Sequence, residues 1–202
     1  MKIENILFDL GGVLYEISPE RMRSSFFALC AQYGAAPSRD ELFGVFDAME
    51  LGAFDGPEFF EEIRRTTRMP ATDDELRNAW NAILVGPYPF AAKLTLMAAA
   101  NRRVALLSNT NAIHRDRFHD ETQDVFAPME RIFYSFEIGA RKPNPEAFLH
   151  VIENTGFKPE TTLFVEDTPA NIEAAKSLGF QVYHATEPSR IFDDLSDILR
   201  KT

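Results

Sequence analysis

The sequence predicts an α/β protein with a parallel sheet, helices on both faces and a small helical bundle inserted after the first strand. Helical and strand segments alternate from Pro89 to the C-terminus, the pattern of a parallel sheet with crossover helices. Residues 17–86 contain helical segments but no convincing strand. Because the first strand must pair with strands that follow this segment, we expect an insertion rather than a separate terminal domain.

The first strand leads directly into the candidate site. Three apolar residues, Ile6–Phe8, run into Asp9, and Gly11 and Gly12 then force a sharp exit of the chain. In open α/β sheets, ligands bind beyond the carboxyl ends of the strands. We therefore expect Asp9 to be exposed but rigidly held where chemistry takes place. The alternative is that Asp9 only caps the following turn.

The inserted segment carries clear helix start and stop signals. Gly34 is expected to end the first helix, and Gly86 the last one, which would include Leu84 on its apolar face. The start signals are Pro19, the capping box Ser38–Glu41, Pro57 and the capping box Thr72–Glu75. The pattern predicts a helical bundle over this part of the chain.

The remaining residues predict the rest of the sheet. Its strands are expected at Val104–Leu107, Ile132–Tyr134, Thr162–Val165 and Gln181–His184. Helices are expected at Phe90–Ala100, Pro145–Thr155 and Pro169–Leu178, and near the C-terminus.

Composition and charge exclude several classes of protein. The chain has 202 residues, 45% of them hydrophobic, so it can bury a full core. Its net charge of −10, without a Lys/Arg cluster, argues against binding to nucleic acid. The single cysteine, Cys30, permits no internal disulfide and is interpreted as a core residue. Without a signal peptide or a membrane-spanning run, we expect a cytoplasmic monomer or homodimer with no membrane partner.

Phosphate-binding groups follow two of the later strands. Ser108 and Asn109 offer a hydroxyl and free backbone N–H groups, which suit phosphate oxygens, although such residues also cap helices. Lys142 precedes Pro143, which fixes the loop in an extended conformation; its other interpretation is a solvated surface lysine. These residues predict an anion site at the carboxyl edge of the sheet.

Two adjacent acids, Glu166 and Asp167, end another strand. One acid there could be a helix cap, but two neighbouring carboxylates repel each other unless they share a cation. Carboxylate and carbonyl oxygens suit Mg²⁺, and a free aspartate such as Asp9 can attack phosphorus in line. Asn171 is expected to face this pair from the first turn of the next helix. The four histidines lack the spacing of metal ligands, and we assign them no site role.

Four motifs in this order resemble those of the haloacid dehalogenase-like (HAD) hydrolases. They are Phe8–Leu14, Leu107–Thr110, Arg141–Pro143 and Val165–Thr168. The resemblance covers the whole chain and implies a Rossmann-like catalytic core, residues 1–16 and 87–202, with a helical cap, residues 17–86. Among family members the chain looks most similar to the glucose-1-phosphate phosphatase type.

The resemblance implies a role for each matching residue. Asp9 would be the nucleophile that forms an aspartyl-phosphate, and Ser108 with the Asn109 N–H would bind the phosphoryl group. Lys142 would neutralise both phosphate and nucleophile. Asp9, the Gly11 carbonyl and Asp167 would bind Mg²⁺. Glu166 would bind it directly or through a water molecule. The expected substrate is a small phosphorylated metabolite, and no organic cofactor is expected.

One departure from the family pattern leaves alternatives open. The usual general acid/base aspartate, two residues after the nucleophile, is replaced by Gly11. A substrate with a good leaving group, such as a sugar 1-phosphate, would need less protonation, and Glu16 or Glu50 could supply a proton. The alternatives are a catalytically weak module that binds a phosphorylated ligand or partner and, less favoured, a phosphomutase or a haloacid dehalogenase.

Overall fold

The alternation of apolar side chains along each strand explains why the sheet is covered on both faces. Ile6 and Phe8 of the first strand pack into one hydrophobic cluster, whereas Leu7 between them packs into another. In the same way, Val104 packs into the cluster of Ile6 and Phe8, and Ala105 packs into the cluster of Leu7. The computed structural model describes residues 2–202, apart from the side chains of residues 39 and 41.

Within residues 2–202, seven strands form two sheets. They are β1 (Asn5–Phe8), β2 (Tyr15–Ile17), β3 (Leu84–Pro87), β4 (Arg103–Ser108), β5 (Arg131–Tyr134), β6 (Thr162–Glu166) and β7 (Gln181–His184). The main sheet has the order β5-β4-β1-β6-β7, with every pair parallel. The predicted α/β fold with a parallel sheet is confirmed, and β1 lies at its centre.

Eleven α-helices are found among the described residues. They are α1 (Pro19–Tyr33), α2 (Arg39–Glu50), α3 (Gly56–Thr67), α4 (Asp73–Asn81), α5 (Ala91–Ala99), α6 (Ala112–Phe118), α7 (Gln123–Phe126), α8 (Ser135–Ile138), α9 (Pro145–Thr155), α10 (Pro169–Ser177) and α11 (Pro188–Arg200). Helices α5 and α11 cover one face of the main sheet, and α9 and α10 cover the other. In the described part of the chain, no helix is long and apolar enough to cross a membrane.

Helices α1 to α4 share a hydrophobic cluster of their own. Its buried members include Phe26, Phe59 and Trp80, and Cys30 is buried there as predicted. Ile113 of α6 also belongs to this cluster, so the four helices pack against the sheet part of the chain. We refer to α1–α4 as the helical bundle; the domain boundaries at residues 17 and 86 remain a prediction.

The prediction was wrong at both ends of the bundle. Helix α4 ends at Asn81, and Leu84 lies in β3, which pairs antiparallel with β2. This two-stranded sheet links the bundle to the main sheet. Both strands are too short for a clear period-two pattern, so only their pairing identifies them.

The predicted N-terminal caps of the bundle helices were confirmed only in part. The Thr72–Glu75 capping box is confirmed. Asp55 with Glu58 forms another at α3, which begins at Gly56, one residue before the predicted start at Pro57. Ser38 precedes α2 but makes no capping hydrogen bond through its side chain. The side chain of Glu41, the other half of that predicted box, lies outside the described residues.

Candidate active site

The parallel register of the sheet places Asp9 at the centre of its carboxyl edge. Phe8 pairs with Leu106 on one side and with Val165 on the other. Asp9 follows Phe8 and Glu166 follows Val165, so Asp9 and Glu166 lie side by side. The Asp9 backbone N–H donates to the Val165 carbonyl at 2.9 Å, which holds the start of the following loop against β6.

Lys142 links two of the predicted site residues directly. Its Nζ lies 2.5 Å from Asp9 Oδ1 and 2.7 Å from Glu166 Oε2. The lysine is only 1% exposed, so the interpretation as a solvated surface residue was wrong. Asp9 is 7% exposed, which corrects the expectation of an exposed carboxylate. Sequence patterns do not show that a lysine from a distant loop would cover the end of β1.

The buried charges stabilise one another. Burial by itself lowers the pKa of Lys142, but the Asp9 and Glu166 carboxylates outweigh this effect, and the net pKa is raised. The lysine therefore stays protonated. For Asp9, burial raises the pKa above its ordinary range, and the Lys142 ammonium opposes that increase.

The adjacent acids differ in their surroundings. Glu166 accepts hydrogen bonds from Lys142 and from the Thr168 backbone N–H, and Asn171 contributes another. Burial raises the pKa of Glu166, but Lys142 and these hydrogen bonds bring the net pKa below its usual value. Burial and the Glu166 charge raise the pKa of Asp167. Asn171 thus lies where the sequence placed it, beside the acid pair.

The three carboxyl groups could hold a divalent cation. Asp9, Glu166 and Asp167 each offer an oxygen, and these oxygens lie within 4.8 Å of one another. When ionised, three carboxylates face a single ammonium, which leaves negative charge in excess. Hard oxygen donors with excess negative charge fit Mg²⁺. The donor set therefore agrees with the predicted metal.

Asn109 makes contacts that the sequence did not reveal. Its side chain donates through Nδ2 to the Lys142 carbonyl at 2.8 Å and accepts from the Lys142 N–H at 2.9 Å. These two bonds fix the loop that carries the lysine to the end of β4, where Ser108 is buried. From the sequence, an Asn that follows a strand predicts a helix cap or an anion site. No local pattern predicts that its side chain bonds to the backbone of the distant Lys142 loop.

The two glycines after Asp9 have different constraints. Gly12 has φ of 75°, and a Cβ there would lie 2.2 Å from Asp167 Oδ2. Any side chain at this position would collide with the candidate metal ligand. A Cβ at Gly11 would meet only the flexible end of Ile17 at 3.0 Å. The backbone therefore excludes a side chain at Gly12 but does not exclude the acid that the family usually has at Gly11.

Comparisons with known proteins support one family. Residues 3–179 match the model of the haloacid dehalogenase-like hydrolases. The chain is 27% identical over 203 residues to a D-ribitol-5-phosphate phosphatase of Bacteroides thetaiotaomicron, with 98% of each chain covered.

Two solved structures are similar over most of the chain. A predicted HAD-like family hydrolase of Porphyromonas gingivalis is 29% identical, with a TM-score of 0.86 and complete coverage of both chains. A HAD family enzyme of Bacteroides thetaiotaomicron, in complex with magnesium and inorganic phosphate, is 32% identical, with a TM-score of 0.79. The alignment covers 90% of this chain and 93% of that enzyme.

Proposed function

Because this chain belongs to the haloacid dehalogenase-like hydrolase family, we propose that it is a Mg²⁺-dependent phosphatase of small phosphorylated metabolites. Sugar and alditol phosphates are the proposed substrate class. The observation that carries the proposal is the buried Lys142 ammonium, which joins Asp9 to Glu166 beside Asp167. This arrangement combines a nucleophile, a fixed positive charge and a cation site at the carboxyl edge of the sheet.

The proposed reaction has two steps at Asp9. An Asp9 oxygen attacks phosphorus as the ester oxygen leaves with its electron pair, which forms an aspartyl-phosphate. Water then attacks phosphorus, inorganic phosphate leaves, and the Asp9 carboxylate is regenerated. Lys142 offsets the negative charge of the phosphoryl group throughout, and Ser108 and the Asn109 N–H bind its oxygens. Positioning and charge neutralisation supply most of the catalysis in phosphoryl transfer.

The proposed Mg²⁺ ligands are Asp9, the Gly11 carbonyl and Asp167, with Glu166 as a ligand directly or through water. When bound, the cation would neutralise negative charge on the phosphoryl oxygens and orient them. Glu166 also holds Lys142, and Asn171 and the Thr168 N–H hold Glu166. These contacts keep the acid pair in place for binding.

Relatives support the substrate class. The D-ribitol-5-phosphate phosphatase matches the chain from end to end, and the similar HAD enzyme was solved with magnesium and phosphate. Glucose 1-phosphate remains a specific hypothesis from the motif resemblance. Its anomeric oxygen is a comparatively good leaving group, which suits a site with Gly11 in place of the usual acid. Glu16 and Glu50 remain proposed proton sources.

Gly11 also favours a second candidate function. Since general acid–base catalysis typically contributes about 10²- to 10⁴-fold in rate, its loss could leave a protein that binds phosphorylated ligands without turning them over. The two functions differ in whether phosphate is released.

The test measures phosphate release from sugar, alditol and aryl phosphates, with and without Mg²⁺. We expect Mg²⁺-dependent turnover that falls by about 10³-fold or more in Asp9→Asn, because an amide cannot act as the nucleophile. Asp74→Asn makes the same change at a side chain that is 87% exposed and serves as the matched control. Turnover that survives in Asp9→Asn would contradict the mechanism. Mg²⁺ binding without turnover in the wild type would favour the binding module.

A further inference from the structure

The last strand of the main sheet ends beside the acid pair. Strand β7 runs parallel to β6, and their register sets His184 opposite Glu166. The Ala185 backbone N–H donates to the Glu166 carbonyl at 2.8 Å, which continues the pairing one residue past β7. Because parallel strands bring their carboxyl ends to one edge of a sheet, His184 lies at the edge that carries the candidate metal ligands.

A hydrogen bond joins the His184 ring to the backbone of Asp167. The ring Nε2 lies 2.9 Å from the Asp167 carbonyl oxygen. A carbonyl oxygen can only accept, so the ring must carry a proton on Nε2 in this contact. The two residues lie 17 positions apart, and no metal-ligand spacing in the sequence pointed to this histidine. The structure thus places an imidazole donor directly behind a candidate ligand of the cation.

The segment that carries Asp167 is short. Only Asp167 and Thr168 connect the end of β6 to the start of α10. The Thr168 hydroxyl donates to Asp167 Oδ1 at 3.0 Å, and Gly12, which has no Cβ, leaves room for Oδ2. These contacts orient the carboxyl group, whereas His184 holds the backbone from which that group projects.

We propose that His184 is a positioning residue for Mg²⁺, and that its Nε2–H fixes the Asp167 backbone so that the carboxylate is aimed at the cation site. The inference rests on the proposed function, which places Mg²⁺ on this acid. Mg²⁺ demands nearly ideal octahedral geometry with oxygens at about 2.0–2.1 Å, so a displaced ligand weakens its binding. Hydrogen-bond partners of metal ligands typically change metal affinity or activity by about 10- to 100-fold when they are removed.

The test compares two amides at position 184 in the full chain. The Nδ2 of asparagine is too close to the backbone to replace the histidine Nε2, whereas the Nε2 of glutamine can reach the same acceptor. We expect His184→Asn to raise the Kd of Mg²⁺, measured by isothermal titration calorimetry, by about tenfold. His184→Gln should restore the Kd to within about threefold of the wild type. Equal Kd values in the two folded variants would overturn the proposal.

The matched control makes the same change at another exposed histidine. His119 follows α6 and is exposed, as His184 is. His119→Asn should therefore bind Mg²⁺ with the Kd of the wild type. A tenfold loss in this variant as well would show that the effect does not depend on the contact with Asp167, and would overturn the proposal.

Calcium separates positioning from a general loss of structure. Ca²⁺ accepts longer and more variable oxygen geometry than Mg²⁺. We expect His184→Asn to change the Kd of Ca²⁺ by less than about twofold, so its preference for Mg²⁺ should fall by about fivefold or more. Equal losses for the two cations would indicate a merely structural effect and overturn the positioning role.

A further measurement needs only the wild type. The chain has four histidines, and nitrogen-15 NMR of the rings at alkaline pH, where imidazole is neutral, reports the tautomer of each. We expect the Nε2–H tautomer at His184. The Nδ1–H tautomer would overturn the proposal even if the variants failed to fold.

The outcomes distinguish this inference from the function on which it rests. Failure of the wild type to bind Mg²⁺ would refute the proposed metal site, and the positioning role with it. Mg²⁺ binding that is equal in wild type, His184→Asn and His184→Gln would refute the positioning role alone.

Discussion

Two of the contacts between the helical bundle and the sheet part of the chain are built differently. At α4, the Trp80 Nε1–H donates to Asn111 Oδ1, and the Trp80 ring stacks on His114 at 4.8 Å. This contact is neutral and buried. At α2, by contrast, Asp47 and Glu50 pair with Arg141 in a charged and partly exposed contact.

The polar atoms of the α4 contact have partners. Asn111 Nδ2 lies 3.0 Å from His114 Nδ1, and His114 Nε2 lies 3.2 Å from the Trp80 carbonyl. The neutral imidazole with its proton on Nε2 satisfies both bonds. Asn111 also accepts from the His114 backbone N–H and caps α6.

The two contacts differ in how much free energy it costs to break them. A buried, fully hydrogen-bonded network loses much when one member is removed. Partly exposed ion pairs are weak and break at little cost. We expect the bundle to stay anchored at α4 while the end of α2 moves as substrate enters. The family resemblance further predicts hinges near residues 15–18 and 86–89 for a cap that opens and closes.

The largest effect should follow from removing Asn111. We expect Asn111→Ala to lower the free energy of unfolding by about 3–5 kcal/mol, because it leaves Trp80 Nε1–H and His114 Nδ1 without partners and uncaps α6. Chemical denaturation measures the loss. Asp55→Ala, which removes the cap of α3 within the bundle, should cost only about 1 kcal/mol. Equal losses in the two variants would show that the α4 contact contributes nothing beyond a helix cap.

Lowering the pH should weaken the contact of α4 with Asn111 and His114 in the wild type. Burial lowers the pKa of His114 to about 4, against an ordinary value of about 6.5. Since the unfolded chain takes up the proton first, this contribution to stability is complete above pH 6.5 and is lost as the pH falls toward 4. The loss between pH 8 and pH 5 should be about 2 kcal/mol.

The control for the acid effect is a variant that cannot titrate. In His114→Gln, the difference in unfolding free energy between pH 8 and pH 5 should shrink by that amount. His119→Gln, at an exposed position of the same segment, should keep the pH dependence of the wild type. If His114→Gln kept it as well, the imidazole would not be the group responsible.

The smallest effect should come from the charged contact. Asp47→Asn should lower the free energy of unfolding by less than about 0.5 kcal/mol, because the Asp47 side chain is 59% exposed. The difference should disappear in about 1 M NaCl, where charges are screened over roughly 3 Å. A loss as large as that of Asn111→Ala, or one that persists in high salt, would contradict the distinction between the two contacts.

Most of the main sheet was predictable, because its strands carry apolar runs and each is followed by turn residues. The short strands β2 and β3 were not, since their pairing depends on residues that are far apart in the chain. Burial in the bundle was also only partly predictable. Phe26, Phe59 and Phe60 are buried in it, whereas Phe27 and Phe43, equally apolar, are 66% and 48% exposed.

The sequence by itself determined which groups follow each strand. Asp9, Lys142, Glu166 and Asp167 stand at strand ends or in the loops beyond them, and parallel strands bring their carboxyl ends to one edge. Their order and types therefore pointed to a charged site. The roles assigned to them remain proposals.

Only the tertiary structure decided how these groups meet. It buries Lys142 between two carboxylates, fixes its loop through Asn109, and joins α2 to Arg141 and α4 to Asn111. Each contact joins residues that are at least 24 positions apart. The physical reason is that a local sequence pattern shows which face of a helix or strand is apolar. The hydrogen-bond partners of buried polar groups, by contrast, come from distant segments that meet only when the chain folds.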